Sequence, residues 1–254
     1  MNTTKKIYGL LVFLALLLTA QQSIAAPFVN QAAYQKGTTS YVFGHRSISN
    51  LSITGAPVDT DWNRWAMMYD RNGGAYRLFF FKAGTNDILY QFGFNTAAKS
   101  YQFGYQAIPA VRIVGMPYDT DVSNFSVLHD GRNYKLYMPR SRERSTFYEF
   151  AFNLNSKQYE YTNKALSVTG MPSDTDWQRT SILHDGVDSR FFAMKSGTNN
   201  VIYQAAYNPT ASNFQYNFRS IPMLTLVGTP TNSNTRAFSM LFDGNDYRLY
   251  FLTF

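Results

Sequence analysis

The chain has 254 residues, 45% of them hydrophobic and 17% aromatic, with no cysteine. That is ample material for a core, and the missing cysteine excludes disulfides, thiol nucleophiles and a cysteine-linked lipid anchor. Charged residues make up only 15%, and the net charge of +7 is spread without the basic cluster that marks nucleic-acid binding.

The N-terminus carries Lys5 and Lys6, an apolar run from Ile7 to Ala20, then Gln21-Gln22-Ser23-Ile24-Ala25-Ala26. This is the layout of a secretory signal peptide over residues 1–26, so a secreted or periplasmic protein is expected. The run is shorter than the ~20 residues of a spanning helix, and no later segment approaches that length. Removing residues 1–26 takes the length from 254 to 228 and the charge from +7 to +5.

The rest is a repeat. Gly55-Ala56-Pro57-Val58-Asp59-Thr60-Asp61-Trp62 returns as Gly115-Met116-Pro117-Tyr118-Asp119-Thr120-Asp121-Val122 and as Gly170-Met171-Pro172-Ser173-Asp174-Thr175-Asp176-Trp177. A worn fourth copy opens at Gly228-Thr229-Pro230 and lacks both acids. The prolines step by 60, 55 and 58 residues, a period typical of propellers and related arrays, with units starting near 51, 111, 166 and 224.

Each unit reads as four short strands. In the second they are Phe125 to His129, Tyr134 to Met138, Phe147 to Phe152 and Tyr159 to Tyr161, with Asp130-Gly131 as a hairpin turn. The last unit has only two strands, Phe238 to Phe242 and Tyr247 to Leu252. The other two are supplied by the start of the mature chain, where Gln31-Ala32-Ala33-Tyr34 matches Gln204-Ala205-Ala206-Tyr207. The expected fold over 27–254 is therefore all-β. It is a single four-bladed β-propeller of four-stranded blades, closed by two N-terminal and two C-terminal strands, which leaves no open sheet edge.

The stretch Ile108-Pro109…Ile113…Gly115-Met116-Pro117…Asp121 with Tyr134-Lys135-Leu136-Tyr137 resembles the hemopexin-type repeat, as does Gly55-Ala56-Pro57…Asp61 with Tyr76 to Gly84. The likeness covers about half of each unit and implies a four-bladed propeller that binds protein, glycan, haem or ions. The family's Ala-Ala pair after the aspartate is replaced by Trp62, Val122 and Trp177 in its first position, and its closing disulfide is excluded.

The Asp-Thr-Asp-Trp loops are the sharpest polar repeat. Asp59, Asp61, Trp62 and Arg64 suit one sugar pocket, and Asp174, Asp176, Trp177 and Arg179 a second: an indole stacks on a sugar face while the charged groups hydrogen-bond. The copy with Asp119 and Asp121 lacks Trp and Arg. Paired carboxylates also suit a cation such as Ca²⁺. The competing structural reading is that Asp and Thr cap local turns. His129 and His184 share a position with Tyr69 and Phe242, which points to packing. Arg140, Arg142, Glu143 and Arg144 replace a Lys-x-Gly-Thr-Asn hairpin, either as a solvated loop or as a contact for an acidic partner. No Gly-x-Ser-x-Gly, His-Glu-x-x-His or phosphate-loop motif is present. The expected function is therefore a non-catalytic, lectin-like binder of a glycan or glycoconjugate; the alternative is a protein-binding module engaging a host or envelope surface protein.

Overall fold

The computed structural model describes residues 26–254, so the expected signal peptide lies, but for Ala26, outside the described residues. Among them no helix is long and apolar enough to cross a membrane.

The described chain is all-β, as the sequence indicates, with nineteen strands in chain order. These are β1 (Phe28–Gln35), β2 (Ser40–Phe43), β3 (Ser52–Thr54), β4 (Thr60–Asp70), β5 (Ala75–Lys82), β6 (Ile88–Asn95), β7 (Ser100–Phe103), β8 (Ala110–Val114), β9 (Ser126–His129) and β10 (Tyr134–Pro139). They continue as β11 (Thr146–Asn153), β12 (Gln158–Thr169), β13 (Thr175–His184), β14 (Ser189–Lys195), β15 (Val201–Asn208), β16 (Asn213–Tyr216), β17 (Met223–Val227), β18 (Ser233–Phe242) and β19 (Tyr247–Thr253).

Antiparallel hairpins join them into four meanders. β4-β5-β6-β7 form unit one, β9-β10-β11-β12 unit two and β13-β14-β15-β16 unit three. Unit four is β18-β19-β1-β2: Phe28 stands opposite Thr253 and Ala33 opposite Arg248, so both chain ends build it. The Gly-x-Pro leads act as straps. β8 pairs with β6 of unit one and, in parallel, with β12 of unit two, and β17 likewise joins β15 to β2.

The core lies between units, not within one. Phe79 and Phe81 face unit two, while Leu78 and Phe80 of the same strand face unit four. Leu249 and Phe251 face unit three, and Tyr250 and Leu252 face unit one. A strand alternates sides with a period of two residues, so a strand sandwiched between neighbours must be apolar on both faces. That is why these segments read as unbroken apolar runs.

The first strands of the units neighbour one another, β4 and β13 each touching β9 and β18. Serine hydroxyls link them. Ser126 Oγ accepts from the Ile182 amide at 2.9 Å, Ser181 Oγ from Met240 at 2.9 Å, and Ser239 Oγ from Met67 at 2.8 Å. The corresponding residue of unit one is Ala66, fully buried. Ala66→Ser is expected to add the missing bond to the Val127 amide and stabilise by about 1 kcal/mol. The urea midpoint measures it, and a fall would mean that the site has no room for the oxygen.

Candidate functional site

The two ends of each first strand make two different faces. At the start of the strand lie the Asp-Thr-Asp-Trp loops. The ladder skips from Asp61 opposite Phe81 to Trp65 opposite Phe80, which extrudes Trp62-Asn63-Arg64 as a bulge. Unit three does the same between Asp176 and Thr180. The bulge turns Arg64 back on its own loop. Its Nε donates to Asp61 Oδ2 at 2.7 Å, and its other nitrogens reach Asn86 Oδ1 at 2.9 Å and the Thr85 carbonyl at 3.0 Å. Arg179 repeats this with Asp176 at 2.8 Å, Asn199 at 2.8 Å and Thr198 at 2.9 Å. Asp59 accepts from Tyr90 and pairs with Lys82 at 3.1 Å, and Asp174 accepts from Tyr203 and pairs with Lys195 at 3.2 Å. The tyrosine hydroxyl is the main influence holding Asp59 and Asp174 below the usual carboxylate range; Lys82 and Lys195 act with it. Trp62 packs edge-on against Phe80 with centroids 4.9 Å apart, and Trp177 lies 5.9 Å from Phe191.

Unit two solves the same problem with other residues. Asp119 accepts from Tyr148 at 2.7 Å and from Arg140 Nε at 2.7 Å, and Arg144 reaches Asp121 at 3.4 Å. Arg140 and Arg144 thus stand in for the cations that Lys82 and Arg64 supply in unit one, and only the exposed Arg142 is left for an outside contact. Every aspartate of these loops already faces a lysine or arginine. A calcium ion there would have to displace one, and among the described residues no group of three or more His, Cys, Asp or Glu stands together.

The opposite face carries the Asp-Gly turns and a second repeated constellation. Asp185 Oδ1 accepts from the amides of Val187 and Asp188, while Oδ2 accepts from Arg190 Nε at 2.7 Å and from the Tyr247 hydroxyl of unit four at 2.7 Å. Asp243 meets Arg248 and, at 2.8 Å, Tyr76 of unit one. Asp70 meets Arg77 at 3.5 Å and Tyr134 of unit two at 3.1 Å. Each arginine also donates to the carbonyl of a left-handed residue in the loop after the fourth strand: Arg77 to Gln106, Arg190 to Arg219 and Arg248 to Arg46. That loop walls a cleft between units. In unit one it crosses β6 so closely that a side chain at Gly93 would meet the Tyr105 carbonyl at 2.0 Å.

Three clefts result. The first, of about 300 Å³, includes Arg77, Gln91 and Tyr134. The second, of about 460 Å³, includes Arg190, Gln204 and Tyr247. The third, of about 130 Å³, includes Arg248, Gln31 and Tyr76. The junction of units two and three departs from the pattern. Lys135 and Glu149 replace Arg and Gln and pair at 3.2 Å, Ser189 replaces the tyrosine, and β12 runs straight on as the next lead strand without the walling loop. Burial works to raise the Asp185 carboxyl, but the Asp188 amide, Arg190, Tyr247 and the Val187 amide together hold it at about 2. The second and third clefts are lined by guanidinium, amide and phenol groups and by no carboxylate, a set suited to hydrogen-bonding a polyhydroxylated or acidic ligand.

At the ends of the four first strands, Tyr69, His129, His184 and Phe242 converge on a space of only about 10 Å³. Arg71 reaches across it, donating to the His184 carbonyl at 3.1 Å, with its guanidinium 5.5 Å from the Phe242 ring.

No family model matches this sequence, and no curated protein matches it. Similar solved structures include an exo-β-1,3-galactanase from Phanerochaete chrysosporium with β-1,3-galactotriose, 11% identical at a TM-score of 0.39 over 79% of this chain and 48% of that one. The same enzyme with galactose is 10% identical at a TM-score of 0.40 over 79% and 48%. A putative 6-phosphogluconolactonase from Bacteroides fragilis is 10% identical at a TM-score of 0.32 over 80% and 57%. The chain spans about half the length of the galactanase chains.

The functional reading of the sequence is corrected. A non-catalytic, lectin-like binder acting through Asp59, Asp61, Trp62, Arg64 and their copies, or alternatively a protein-binding module, does not stand. Within the loops the charged groups expected to bind a sugar are bound to one another.

Proposed function

We propose that the chain is an exported four-bladed β-propeller, as its hemopexin-type resemblance implies for the fold alone, with a carbohydrate-directed function. Its ligand enters the clefts between units on the Asp-Gly face. The observation that carries this reading is the repetition of the cleft. The same Arg, Gln and Tyr positions build it three times, and the junction that lacks those residues also lacks the loop that walls the cleft. Tyrosine rings beside amide and guanidinium donors match a sugar, whose C–H face stacks while its hydroxyls hydrogen-bond.

The test is binding of an oligosaccharide panel to residues 27–254, with reducing-end release followed in the same samples to measure turnover. Ser220→Trp, which fills the second cleft, is expected to remove that cleft's share of the binding while the urea transition is unchanged. Trp62→Ala with Trp177→Ala is expected to lower stability and leave binding intact. Binding lost in the tryptophan pair and kept in the filled cleft would place the site on the other face.

A further inference from the structure

The three clefts differ in charge, and the difference selects a ligand class. In the third, the rim residue Arg46 lies 3.7 Å from Asp246. In the first, that rim position is Gln106, and Asp70 is part of the lining. In the second it is Arg219, exposed, held at φ 43° and 5.4 Å from the Phe218 ring, with no carboxylate partner among the described residues. Arg190 stands deeper in that cleft. Its Nε serves Asp185 and its Nη1 the Arg219 carbonyl, which leaves Nη2 without a partner among the described residues. Asp185 is saturated by four donors and has nothing left for a ligand. The same cleft is lined by Tyr34, Tyr247, Ile221 and Leu224, apolar or aromatic surface for a sugar face.

We propose that the second cleft binds an acidic saccharide unit, its carboxylate or sulfate ester held by Arg219 and Arg190 Nη2 and its ring set against the tyrosines. This rests on the carbohydrate-directed reading and names its ligand class. Planar guanidinium forks match both oxyanions and are less costly to desolvate than lysine.

Calorimetry on residues 27–254 tests it with three probes of equal length: trigalacturonate, a sulfated galactotriose and neutral galactotriose. An acidic probe is expected to bind at least about tenfold more tightly than the neutral one, and which acidic probe wins separates carboxylate from sulfate. The preference is expected to shrink as ionic strength rises from about 50 to about 300 mM. Arg219→Gln is expected to remove it, Arg219→Lys to keep part of it, and Arg142→Gln, outside the cleft, to leave it unchanged. Circular dichroism checks that each variant is folded. Equal binding of acidic and neutral probes, indifferent to Arg219→Gln, overturns this inference and leaves the carbohydrate reading standing. No binding of any saccharide by the folded wild type overturns both.

Discussion

A chain that begins at Asn50 is expected not to fold, although it keeps seventeen of the nineteen strands. It loses β1 and β2, the outer half of unit four. β19 then becomes an open edge from Arg248 to Thr253, where six residues of β1 now pair with it. The loss is also one of burial. Val29, Ala32, Ala33 and Tyr41 are within 2% of complete burial and belong to or adjoin the cores shared with units one and three. At about 1.5–3 kcal/mol for each large side chain, with the newly exposed faces of Tyr250 and Phe251 added, the deficit rivals the ~5–15 kcal/mol total stability of a domain. Near-UV circular dichroism and a urea transition read the outcome. Adding a peptide of residues 27–49 is expected to restore a cooperative transition. A permuted chain, joined from Phe254 to Pro27 by a few Gly-Ser residues and opened at the exposed Gly131, is expected to fold, because Phe28 and Thr253 already lie opposite each other. A truncated chain with a wild-type transition would show that the terminal strands are appendages.

The features that sequence made legible are those with local signals. Gly-x-Pro leads, Asp-Gly turns and the match of Gln31-Ala32-Ala33-Tyr34 to Gln204-Ala205-Ala206-Tyr207 each occupy a few adjacent residues, and together they foretell an all-β chain whose two ends share a unit. What the loop acids touch was not legible. Asp59 meets Tyr90 and Lys82, which lie on β6 and β5, and Asp119 meets Arg140, for which a break in the repeat offers only a solvated loop or an external contact. The loss of Arg64's counterpart in unit two is compensated by Arg144 from a different loop, a substitution visible only in three dimensions. The clefts escaped for another reason. Their signal is a pair of repeat columns, Arg77, Lys135, Arg190 and Arg248 with Gln91, Glu149, Gln204 and Gln31. Such columns sit inside strands, carry no turn chemistry and become a site only where the following loop is long enough to wall it.

Asp185→Asn is expected to cost about 2–3 kcal/mol at pH 7, because Arg190, whose side chain is 16% exposed, would be left facing a neutral amide. The asparagine keeps the Oδ1 acceptor for the turn, so the cost reports the charge and not the hairpin. The pH dependence then separates this pair from every other acid. The folded-state carboxyl is held at about 2, below the roughly 3.9 of an unfolded aspartate, so the folded protein binds this proton less readily. Its contribution is fully present above about pH 4 and is lost as pH falls toward 2, an amount of about 2 kcal/mol by linkage. Wild type and variant, followed by urea unfolding from pH 6 downward, should therefore converge across that window, since all other carboxylates titrate in both. Parallel curves would mean that the carboxylate gains nothing from Arg190 and Tyr247. Asp130 supplies the internal comparison. It has Lys135 at 3.2 Å in place of an arginine, and Ser189 stands where the tyrosine of the next unit would be. With a single, more flexible cation and no phenol donor, Asp130→Asn should cost less and its curves should converge over a narrower range. The difference between the two variants measures what the arginine and the tyrosine from the neighbouring unit contribute together, and so bounds how far each turn is fastened to the next unit.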